Sequence, residues 1–556
     1  MRIYRTGSIN VPRDVNLTEL LHSSARPNVG SDHEVANDCL TGRKITIEEL
    51  RDRAGRLAKG LKDHYNPVDQ SRWAVILPNS VNYIEVFHAI LWLGGVGCPI
   101  NHVLKPAEIA HAFITSKPQF VIAYGPVLPN VLEARDLALK RTTEQNSDFQ
   151  EPQIITVLGQ TNRYPDIEQF LASQRLQIPH YPDTKSRLAS IHLSSGTTGN
   201  PKGVALTHYN YVANVLQLFE DDPEHWNSDV RIVAYTPFVH IANTTIPLFL
   251  GPWTGMLHCI MPSYNLETFA KMIVANKANH VQAVASVALA LANTDVTKQY
   301  DFSSVRYLIV GGLPMDEETY QRLLSRGNWK VITLYGMTEA APYVVFQRLD
   351  QDIPLEKIGN LLPGIEARLM TEDGKEAPEG GPGEMWLRGP NMTSGYVFNE
   401  AATKAAFKDG GWYNTGDVCT ISKEGWLQVV GRTKELIKYK GFQVSPAELE
   451  VYINSHPEVE EGAVGATWDQ EQLTELPTAF VVLRPSVSTR DHKVRVLKEV
   501  RREVDSKVSG YKKLRGGVWE NTVLPRNANT KILRKQLPDH RTGIHDGMGL
   551  TERSKL

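Results

Sequence analysis

A glycine-rich stretch with four hydroxyl residues and one lysine lies at residues 193–203 and has the sequence Leu-Ser-Ser-Gly-Thr-Thr-Gly-Asn-Pro-Lys-Gly. Glycine lets backbone N–H groups turn toward a common centre, and hydroxyl and ammonium groups add donors and a positive charge. This is the chemistry that holds a polyphosphate. The predicted phosphate-binding residues are Ser194, Ser195, Gly196, Thr197, Thr198, Gly199 and Lys202.

The motif differs from a Walker A loop, whose lysine is followed by serine or threonine, because here Pro201 precedes the lysine and Gly203 follows it. The mostly apolar residues 188–193 predict a short strand before the loop, and a helical pattern resumes at Thr207. A strand, a loop, a lysine and a helix in this order favour phosphate binding. The alternative is an ordinary surface loop rich in serine, glycine and threonine.

Two further predicted strands end in residues suited to ligand binding. Residues 305–310 run into Gly311 and Gly312, and residues 330–334 run into the sequence Tyr-Gly-Met-Thr-Glu at 335–339. Ligands of open α/β sheets bind at the carboxyl ends of the strands. The sequence therefore predicts that three strand ends face one crevice.

Alternating strands and helices place the large N-terminal part of the chain in the α/β class. Thr46 and Glu49 form a capping-box pattern at the start of a helix predicted over 44–63. Apolar segments at 73–77 and 120–123 predict buried strands. Alternation of this kind favours mainly parallel sheets covered by helices.

The pattern changes in the C-terminal half of the chain. Short strands and many glycines at 357–432 indicate a β-rich, barrel-like module, and a smaller α+β segment follows a charged junction at 431–435. The polar residues 137–152 are predicted to form a surface excursion. The predicted domains are residues 1–432, residues 433–540 and a flexible tail at 541–556.

The composition argues against several classes of protein. The chain has 60 lysines and arginines against 62 aspartates and glutamates, so no overall field attracts nucleic acid or an anionic membrane. No apolar run reaches the roughly 18 residues that a membrane-spanning helix needs. The four cysteines are widely spaced, which disfavours a zinc site or a disulfide framework and favours a reducing compartment. The tripeptide Ser554-Lys555-Leu556 predicts recognition by the peroxisomal import receptor and a peroxisomal location.

Together and in this order, the motifs resemble those of the adenylate-forming superfamily, which includes acyl-CoA synthetases, 4-coumarate–CoA ligases, firefly luciferase and peptide-synthetase adenylation domains. Residues 434–450 are most similar to the 4-coumarate–CoA ligase and luciferase branch. The resemblance implies that a carboxylate attacks the α-phosphorus of ATP, giving an acyl-adenylate and pyrophosphate, and that the thiol of CoA then displaces AMP. It implies ATP, Mg²⁺, CoA and a small-molecule carboxylic acid as the partners of the reaction.

The same resemblance implies a role for each residue around the phosphates. The hydroxyl loop and Lys202 hold the β- and γ-phosphates and stabilise the departing pyrophosphate. Thr338 hydrogen-bonds the α-phosphate, and Glu339 ligates Mg²⁺ through oxygen. Gly336 and Met337, which precede them, are also predicted to contact the nucleotide. The alternative for Glu339 is an ordinary carboxylate at the start of a helix.

For the base and the sugar, the resemblance implies that Tyr335 stacks on adenine while Gly311 and Gly312 let the base approach the backbone. Asp417, at the end of the sequence Trp-Tyr-Asn-Thr-Gly-Asp, matches the carboxylate that accepts both ribose hydroxyls. Arg432 assists on the same sugar. The alternative for Asp417 is a turn residue.

In the C-terminal domain, Lys531 matches the lysine that bridges the carboxylate and the α-phosphate during adenylation, although Thr530 replaces a glycine that is usual there. The resemblance implies that this domain rotates after the first half-reaction about a hinge at Lys434. The rotation withdraws Lys531 and brings up another face near the nucleotide or the CoA channel. The residues of that face are Lys438, Lys440, Gly441 and Gln443. The alternative for these lysines is an edge strand protected by charge.

The acid-binding residues follow from the same resemblance. His240 matches the residue at the mouth of the acyl pocket, with a satisfied core histidine as the alternative. Gly336 leaves depth for an acid larger than acetate, whereas Leu334 replaces a glycine usual in 4-coumarate–CoA ligases and disfavours hydroxylated cinnamates. A medium or long aliphatic acid or a smaller aryl acid is predicted. The predicted wall comprises residues 241–243, 284–288, 311–313 and 335–344.

Two other functions remain compatible with the motifs. An adenylating enzyme can pass the acyl group to a carrier protein or to oxygen instead of CoA. A nucleotide-binding partner protein without catalysis is the non-enzyme alternative. The presence of Lys202, Glu339, Asp417 and Lys531 counts against the latter, because these are the residues on which the chemistry depends.

Overall fold

The computed structural model describes residues 2–23, 29–145, 148–159, 163–194, 201–311, 317–433, 435–440, 442–470, 472–526 and 532–547. Within these ranges the strands are β1 Tyr4–Arg5, β2 Glu34–Asp38, β3 Lys44–Thr46, β4 Arg72–Ile76, β5 Val96–Pro99, β6 Phe120–Tyr124, β7 Gln153–Val157, β8 Leu188–Ser194, β9 Lys202–Thr207, β10 Arg231–Ala234, β11 Leu257–Ile260, β12 His280–Val284, β13 Tyr307–Gly311, β14 Lys330–Gly336, β15 Tyr343–Phe346, β16 Glu366–Met370, β17 Gly383–Arg388, β18 Phe407–Lys408, β19 Trp412–Ile421, β20 Leu427–Arg432, β21 Ile437–Tyr439, β22 Phe442–Val444, β23 Val459–Asp469, β24 Thr474–Leu483 and β25 Val518–Glu520.

The α-helices are α1 Leu17–His22, α2 Ile47–Tyr65, α3 Val81–Trp92, α4 Pro106–Ser116, α5 Leu128–Gln145, α6 His208–Asp221, α7 Ile241–Thr244, α8 Gly251–Thr254, α9 Leu266–Asn276, α10 Ala285–Asn293, α11 Val296–Gln299, α12 Glu317–Leu324, α13 Glu400–Ala406, α14 Pro446–Asn454 and α15 Arg490–Lys507. A π-helical segment, Thr245–Leu250, joins α7 to α8. Short 3₁₀ helices lie at Gly125–Val127, Ile167–Phe170, Thr338–Ala340, Gly510–Lys512 and Arg534–His540.

Two large sheets form the N-terminal lobe. One has the order β7-β6-β4-β5-β8-β9 and is parallel except for β9, which runs antiparallel to β8. The other has the order β15-β14-β13-β12-β10-β11-β2-β3 and is parallel except for its two outer strands. Central strands such as β4 are buried, and Trp73 of β4 stacks on Phe120 of β6 with ring centroids 3.9 Å apart. Helices cover the faces of both sheets, as buried parallel strands require.

A single buried amide joins the carboxyl edges of the two sheets. Asn79 follows β4 and is 3% exposed. Its Nδ2 donates to the carbonyl oxygens of Thr236 and Met261, which follow β10 and β11, over 2.9 and 3.2 Å. Its Oδ1 accepts the N–H of Phe238 over 2.8 Å. The loop after β4 is therefore held against the loops that follow β10 and β11 of the other sheet.

The remaining sheets complete the mixed architecture. The β-rich module has the order β1-β16-β17-β19-β18, with β20 paired to β19. The C-terminal region contains the sheet β23-β24-β25, the hairpin β21-β22 and the helices α14 and α15. The predicted class, an α/β lobe of mainly parallel sheets with a β-rich module and a small α+β domain, is confirmed. The exact domain limits, the tail at 541–556 and the hinge at Lys434 stay predictions, and Lys434 lies outside the described residues.

The capping box of Thr46 and Glu49 is confirmed at the start of α2, and so is the helix predicted from Thr207, which caps α6. The sequence did not predict strand β9 between the phosphate loop and that helix, and the surface excursion predicted at 137–152 is wrong for its first part. The run of Val204 to Leu206 is too short and apolar for its period to separate strand from helix. Residues 137–145 belong to helix α5, in which Val131, Ala134 and Ala138 are buried on one face.

Within the described ranges, no helix combines the length and the apolar composition that crossing a bilayer requires. The same part of the chain contains no group of three or more histidine, cysteine, aspartate or glutamate side chains placed to hold a metal ion.

Buried neutral histidines predict a loss of stability in acid. Burial lowers the pKa of His192, His208 and His280 to about 3 and of His258 to about 4. The unfolded chain protonates these groups below its ordinary pKa of about 6.5, whereas the folded chain does not. The free energy of unfolding is thus expected to fall below pH 6.5, by up to about 1.4 kcal/mol per pH unit for each histidine. Urea unfolding at a series of pH values measures this slope.

His225 offers a variant for that experiment. It is 1% exposed, neither ring nitrogen has a hydrogen-bond partner, and the ring stacks on Trp226 with centroids 4.1 Å apart. His225→Phe is expected to keep the packing and to reduce the slope by about one proton. A stability that does not change between neutral pH and pH 5.5 contradicts the prediction.

Candidate active site

The described ends of the phosphate loop are paired at the loop end of the β8–β9 hairpin. Ser194 of β8 pairs with Lys202 of β9, and residues 195–200, which carry the other predicted phosphate-binding residues, lie outside the described residues. Ser194 is buried and Lys202 is half-buried. A Cβ atom at Gly203 would lie 2.7 Å from Val397, so only glycine lets the module approach the hairpin this closely. Lys202 is thereby fixed where the predicted phosphate loop ends.

A segment of the β-rich module pairs with β9. The Ala205 N–H donates to the Gly395 carbonyl oxygen over 2.9 Å, and the Val397 N–H donates to the Gly203 carbonyl oxygen over 2.8 Å. Tyr396 lies between these bonds, and the Lys202 ammonium is 5.0 Å from the centre of its ring. This pairing brings a tyrosine from the module to the phosphate hairpin.

Glu339 is held in a site lined by tyrosine hydroxyls. It lies in the 3₁₀ turn after β14 and is 8% exposed. The Tyr396 hydroxyl donates to Glu339 Oε1 over 2.9 Å and is 3.1 Å from the Tyr413 hydroxyl. Burial and the Glu339 carboxylate raise the pKa of both tyrosines, so both stay protonated as donors. Among the described residues no cationic side chain forms an ion pair with Glu339. A buried carboxylate in this setting fits a divalent cation with oxygen ligands.

Tyr396→Phe is expected to raise the Mg²⁺ concentration needed for half-maximal activity about tenfold, because groups that orient a metal ligand typically contribute 10- to 100-fold to metal affinity. The measurement is a Mg²⁺ titration of pyrophosphate release at saturating ATP. Tyr452→Phe, in the C-terminal domain, is the control for loss of a tyrosine hydroxyl. An unchanged Mg²⁺ requirement in Tyr396→Phe contradicts this role for the hydroxyl.

Asp417 and Arg432 face each other across strands β19 and β20. Asp417 is 2% exposed, and its Oδ1 is 2.9 Å from Arg432 Nε. The Tyr335 hydroxyl donates to Asp417 Oδ2 over 2.5 Å. Burial and the Asp417 carboxylate raise the pKa of Tyr335, which keeps the phenol protonated. The structure thus brings together three residues predicted for the base and the ribose.

A second carboxylate, Glu384 of β17, supports the turn before Asp417. It accepts hydrogen bonds from Asn414 Nδ2 over 2.9 Å and from Thr433 Oγ1 over 3.0 Å. Asn414 Oδ1 in turn accepts the Gly416 N–H, and the Thr433 N–H donates to the Gly416 carbonyl oxygen. Glu384 therefore links the turn at Gly416 to the residue that precedes the predicted hinge.

The predicted adenine residues lie on neighbouring strands. Gly311 ends β13 opposite Leu334 of β14, next to Tyr335. A Cβ atom at Gly311 would lie 2.8 Å from the Leu334 side chain, so Leu334 fills the space beside this glycine. Gly312 lies outside the described residues. Thr338 and Met337 are half-buried, and the Met337 N–H donates to the Pro342 carbonyl oxygen over 2.9 Å.

Gly336 has a packing reason that the sequence interpretation missed. A Cβ atom there would lie 2.4 Å from the carbonyl oxygen of Pro342, where β14 and β15 turn toward each other. Glycine is therefore required by the approach of two backbone segments. Its presence is a weaker sign of a deep acid pocket than the sequence alone indicated.

The predicted acid wall lies beside the segment that follows Glu339. Exposed His240 precedes the helix formed by α7, the π segment and α8. The Thr245 hydroxyl donates to the Ala341 carbonyl oxygen over 2.9 Å, and the Tyr343 hydroxyl donates to the Ala242 carbonyl oxygen over 2.8 Å. These bonds fix the helix against the strand end that carries Thr338 and Glu339.

The predicted C-terminal residues are not all gathered at this cluster. Lys438 pairs with Gln443 in the β21–β22 hairpin, and its ammonium is 3.9 Å from the Glu372 carboxylate of the β-rich module. Lys440 is exposed, and its ammonium lies 5.5 Å from the centre of the Tyr439 ring. Gly441 and Lys531 lie outside the described residues.

Several residues at the site were not predicted from the sequence. Tyr396 and Glu384 belong to no recognised motif, and Tyr413 lies inside the motif that ends at Asp417 without having been assigned a role. His111 of α4 was also not predicted from the sequence. In the structure its Nε2 is 3.1 Å from the carbonyl oxygen of Pro201, which precedes Lys202. Gly395 is a sequence signal for a close approach of backbone segments near Tyr396, because glycine in a strand often marks such an approach.

The chain contains two α/β sheets with joined carboxyl edges, a β-rich module and a small C-terminal domain, together with a cluster of acidic and tyrosine side chains. This is the architecture of an adenylate-forming enzyme. The chain belongs to the AMP-binding enzyme family, because residues 25–397 match the family of that description and residues 448–531 match the AMP-binding enzyme C-terminal domain. The predicted membership of the adenylate-forming superfamily is confirmed, and the chain groups with its AMP-forming acid–CoA ligases.

Relatives and solved structures agree with this assignment. The chain is 30% identical over 540 residues to a probable 4-coumarate–CoA ligase 2 of Dictyostelium discoideum, covering 94% of each protein. It is 30% identical over 472 residues to 4-coumarate–CoA ligase 2 of Solanum tuberosum, covering 83% of each. The structure of the ATP-bound RpMatB-BxBclM chimera B1 matches with a TM-score of 0.82 at 25% identity, covering 95% of this chain and 100% of the other.

Proposed function

We propose that the protein is an ATP-dependent acid–CoA ligase that activates a medium or long aliphatic acid, or a smaller aryl acid, as an acyl-adenylate. The observation that carries this proposal is the cluster of buried Asp417 with half-buried Arg432 and Tyr335, on the strand that leads into Glu339, which Tyr396 joins to the phosphate hairpin. The cluster supplies acceptors for ribose hydroxyls and an oxygen ligand for Mg²⁺. The relatives named 4-coumarate–CoA ligase support the acid–thiol ligase class.

In the first half-reaction the site brings two anions together. An oxygen of the substrate carboxylate forms a bond to the α-phosphorus of ATP, and the bond from that phosphorus to the oxygen of the leaving pyrophosphate breaks. Lys202 and the N–H groups of the hairpin balance the charge that moves onto the pyrophosphate. Asp417 and Arg432 hold the sugar, so that the α-phosphate is presented in line.

Glu339 would hold Mg²⁺, with Tyr396 fixing the orientation of its carboxylate. The ion would supply positive charge to the phosphate oxygens when bound. Thr338, one residue earlier, lies where it can donate to the α-phosphate, and Lys531 is proposed to bridge that phosphate and the carboxylate. In the second half-reaction the CoA sulfur bonds to the acyl carbon, the bond to AMP breaks, and the thiol proton is released.

The choice of acid rests on the apolar end of β14. Leu334 fills the space beside Gly311, and Tyr343 is fully buried with its hydroxyl bonded to the Ala242 carbonyl oxygen. The apolar surface of Leu334 favours an apolar tail over a ring with several hydroxyl groups. His240 is proposed to lie at the mouth of the acyl pocket, because it is exposed at the start of the helix packed against the strand end.

A panel of acids tests the proposal. Octanoate, palmitate, benzoate, cinnamate and 4-coumarate are each incubated with ATP and Mg²⁺, with and without CoA, while pyrophosphate and thioester are measured. Acid-dependent pyrophosphate release followed by CoA-dependent thioester formation is the expected result, with chelation of Mg²⁺ as the control. Pyrophosphate release without thioester formation when CoA is present favours transfer of the acyl group to a carrier protein or to oxygen. ATP binding without any pyrophosphate release from the panel favours the non-catalytic partner protein.

We also propose that the protein is imported into peroxisomes through Ser554-Lys555-Leu556, which lies outside the described residues. A fluorescent protein fused at the N-terminus leaves the tripeptide available to the import receptor. The fusion is expected in peroxisomes, and removal of the three residues is expected to leave it in the cytosol. Peroxisomal fluorescence that survives the deletion contradicts this proposal.

A further inference from the structure

The described residues on either side of 527–531 are held together. Arg526 and Ile532 form an antiparallel bridge, and the Leu533 N–H donates to the Pro525 carbonyl oxygen over 2.8 Å. The two ends of the segment that contains the predicted catalytic lysine are therefore adjacent. Contacts made by these two described ends therefore attach the segment to the C-terminal domain.

Arg534 directly follows these ends and is held by two carboxylates. Its Nη2 is 2.6 Å from Glu450 Oε2, and its Nη1 is 3.3 Å from Glu435 Oε2. The side chains are 16% exposed for Arg534, 9% for Glu450 and 22% for Glu435, so solvent screens the pairs only in part. Glu450 Oε1 also accepts the Val464 N–H of β23 over 2.8 Å, which fixes this carboxylate to the core of the domain.

Glu435 connects this group to the large lobe. It follows the predicted hinge residue Lys434, and its N–H donates to the Arg432 carbonyl oxygen over 2.9 Å. Arg432 is the same residue that pairs with Asp417 at the proposed ribose site. Glu435 therefore lies between the nucleotide cluster on one side of the hinge and Arg534 on the other.

We infer that Glu435 and Arg534 are positioning residues whose ion pair couples the hinge to the segment that carries Lys531. The described ends of that segment, Arg526 and Ile532, are then expected to follow Glu435 when the small domain moves. This inference rests on the proposed function, in which only the first half-reaction uses Lys531. Breaking the pair removes the link to the hinge while Glu450 still holds Arg534 to the domain core, and a misalignment of about 1 Å between the lobes can cost about 100-fold in rate.

Glu435→Gln is the sharpest variant, because Arg534 keeps its pair with buried Glu450. Acid-dependent pyrophosphate release is expected to fall about 10- to 100-fold, with thioester formation from a supplied acyl-adenylate changed less than about twofold. Glu435→Asp keeps the charge and is expected to recover part of the lost rate. The double variant Glu435→Gln/Arg534→Gln is expected to lose no more than Arg534→Gln alone, since the two residues act through one interaction.

Lys493→Gln is the matched control. It breaks another ion pair of the same domain, in which Lys493 Nζ is 2.6 Å from Glu520 Oε1, and it is expected to leave the ratio of the two half-reactions unchanged. Hydrogen exchange supplies a readout that needs no substrate. The amides of residues 532–540 are expected to exchange faster in Glu435→Gln than in the wild type, and at the wild-type rate in Lys493→Gln.

The outcomes separate this inference from the proposed function. An equal loss in both half-reactions of Glu435→Gln, or a normal adenylation rate, overturns the positioning role. A wild-type protein that releases no pyrophosphate with any acid of the panel overturns the proposed function. In that case the exchange measurement still decides the structural coupling, because wild-type exchange at 532–540 in Glu435→Gln overturns it and faster exchange supports it.

Discussion

Lys531→Ala is expected to lose about 10²- to 10³-fold of acid-dependent pyrophosphate release, because it removes the charge proposed to neutralise the carboxylate and the α-phosphate as they meet. Transfer of a supplied acyl-adenylate to CoA is expected to stay close to the wild-type rate, since this step breaks the bond between the acyl group and AMP without forming a new bond at phosphorus. Single-turnover assays of each half-reaction measure the two effects separately.

Lys535→Ala is the matched control for this prediction. Lys535 is exposed in the 3₁₀ helix Arg534–His540, so its removal changes the local charge equally without touching the proposed bridge. Adenylation by Lys535→Ala is expected at the wild-type rate. If Lys531→Ala adenylates normally, the role given to Lys531 is wrong and another cation must perform it.

Asp417→Asn is expected to raise the Kd for ATP about 100-fold. The amide keeps the size of the side chain but loses the charge that pairs with Arg432 at 2.9 Å and accepts from the Tyr335 hydroxyl at 2.5 Å. A carboxylate accepts from two vicinal hydroxyl groups, whereas an amide offers one acceptor oxygen. Charge-assisted hydrogen bonds are roughly twice as strong as neutral ones, so loss of two such bonds accounts for an effect of this size. Calorimetric titration with ATP measures binding without turnover.

Asp409→Asn controls for the loss of a carboxylate in the same module. Asp409 is exposed in the turn between β18 and β19, away from the Asp417 pair, and its replacement is expected to leave ATP binding unchanged. Thermal unfolding of both variants shows whether the folded state is retained. Wild-type ATP affinity in a folded Asp417→Asn protein contradicts the assignment of this residue to the ribose.

The sequence was informative where residues act through local patterns. The capping box of Thr46 and Glu49 needs only neighbours along the chain, and it was found. Asp417 and Arg432 were each predicted for the ribose from separate motifs, and the structure explains their proximity by the register of β19 against β20. Their roles in binding stay predictions, as do those of Lys202, Glu339 and His240.

Other features depend on contacts between distant parts of the chain. Tyr396 reaches Glu339 only because the segment around it pairs with β9, nearly two hundred positions earlier in the chain. No local pattern records such a pairing. Glu384 likewise gains its role from Asn414 and Thr433, which only the folded module brings to it.

The polarity of residues 137–145 led to a wrong prediction of a surface excursion, and the small size of Gly336 led to an interpretation as pocket depth. Residues 137–145 have a polar exterior, but the small buried side chain of Ala138 marks the inner face of a helix. Gly336 was interpreted from side-chain volume, yet the Pro342 carbonyl oxygen explains its presence by a backbone approach. Distances between backbone segments are not available from sequence composition.

The hydrogen bonds of Asn79 bear on how substrates reach the proposed active site and how products leave it. The Asn79 side-chain amide makes three hydrogen bonds to loops of the opposite sheet. The two sheets of the N-terminal lobe are therefore fixed to each other at this point. In the proposed mechanism, entry and release of nucleotide, acid and CoA are therefore assigned to movement of the small C-terminal domain. An inhibitor that links that domain to the β-rich module, for example across the Lys438–Glu372 contact, is expected to block product release without competing with ATP, the acid or CoA.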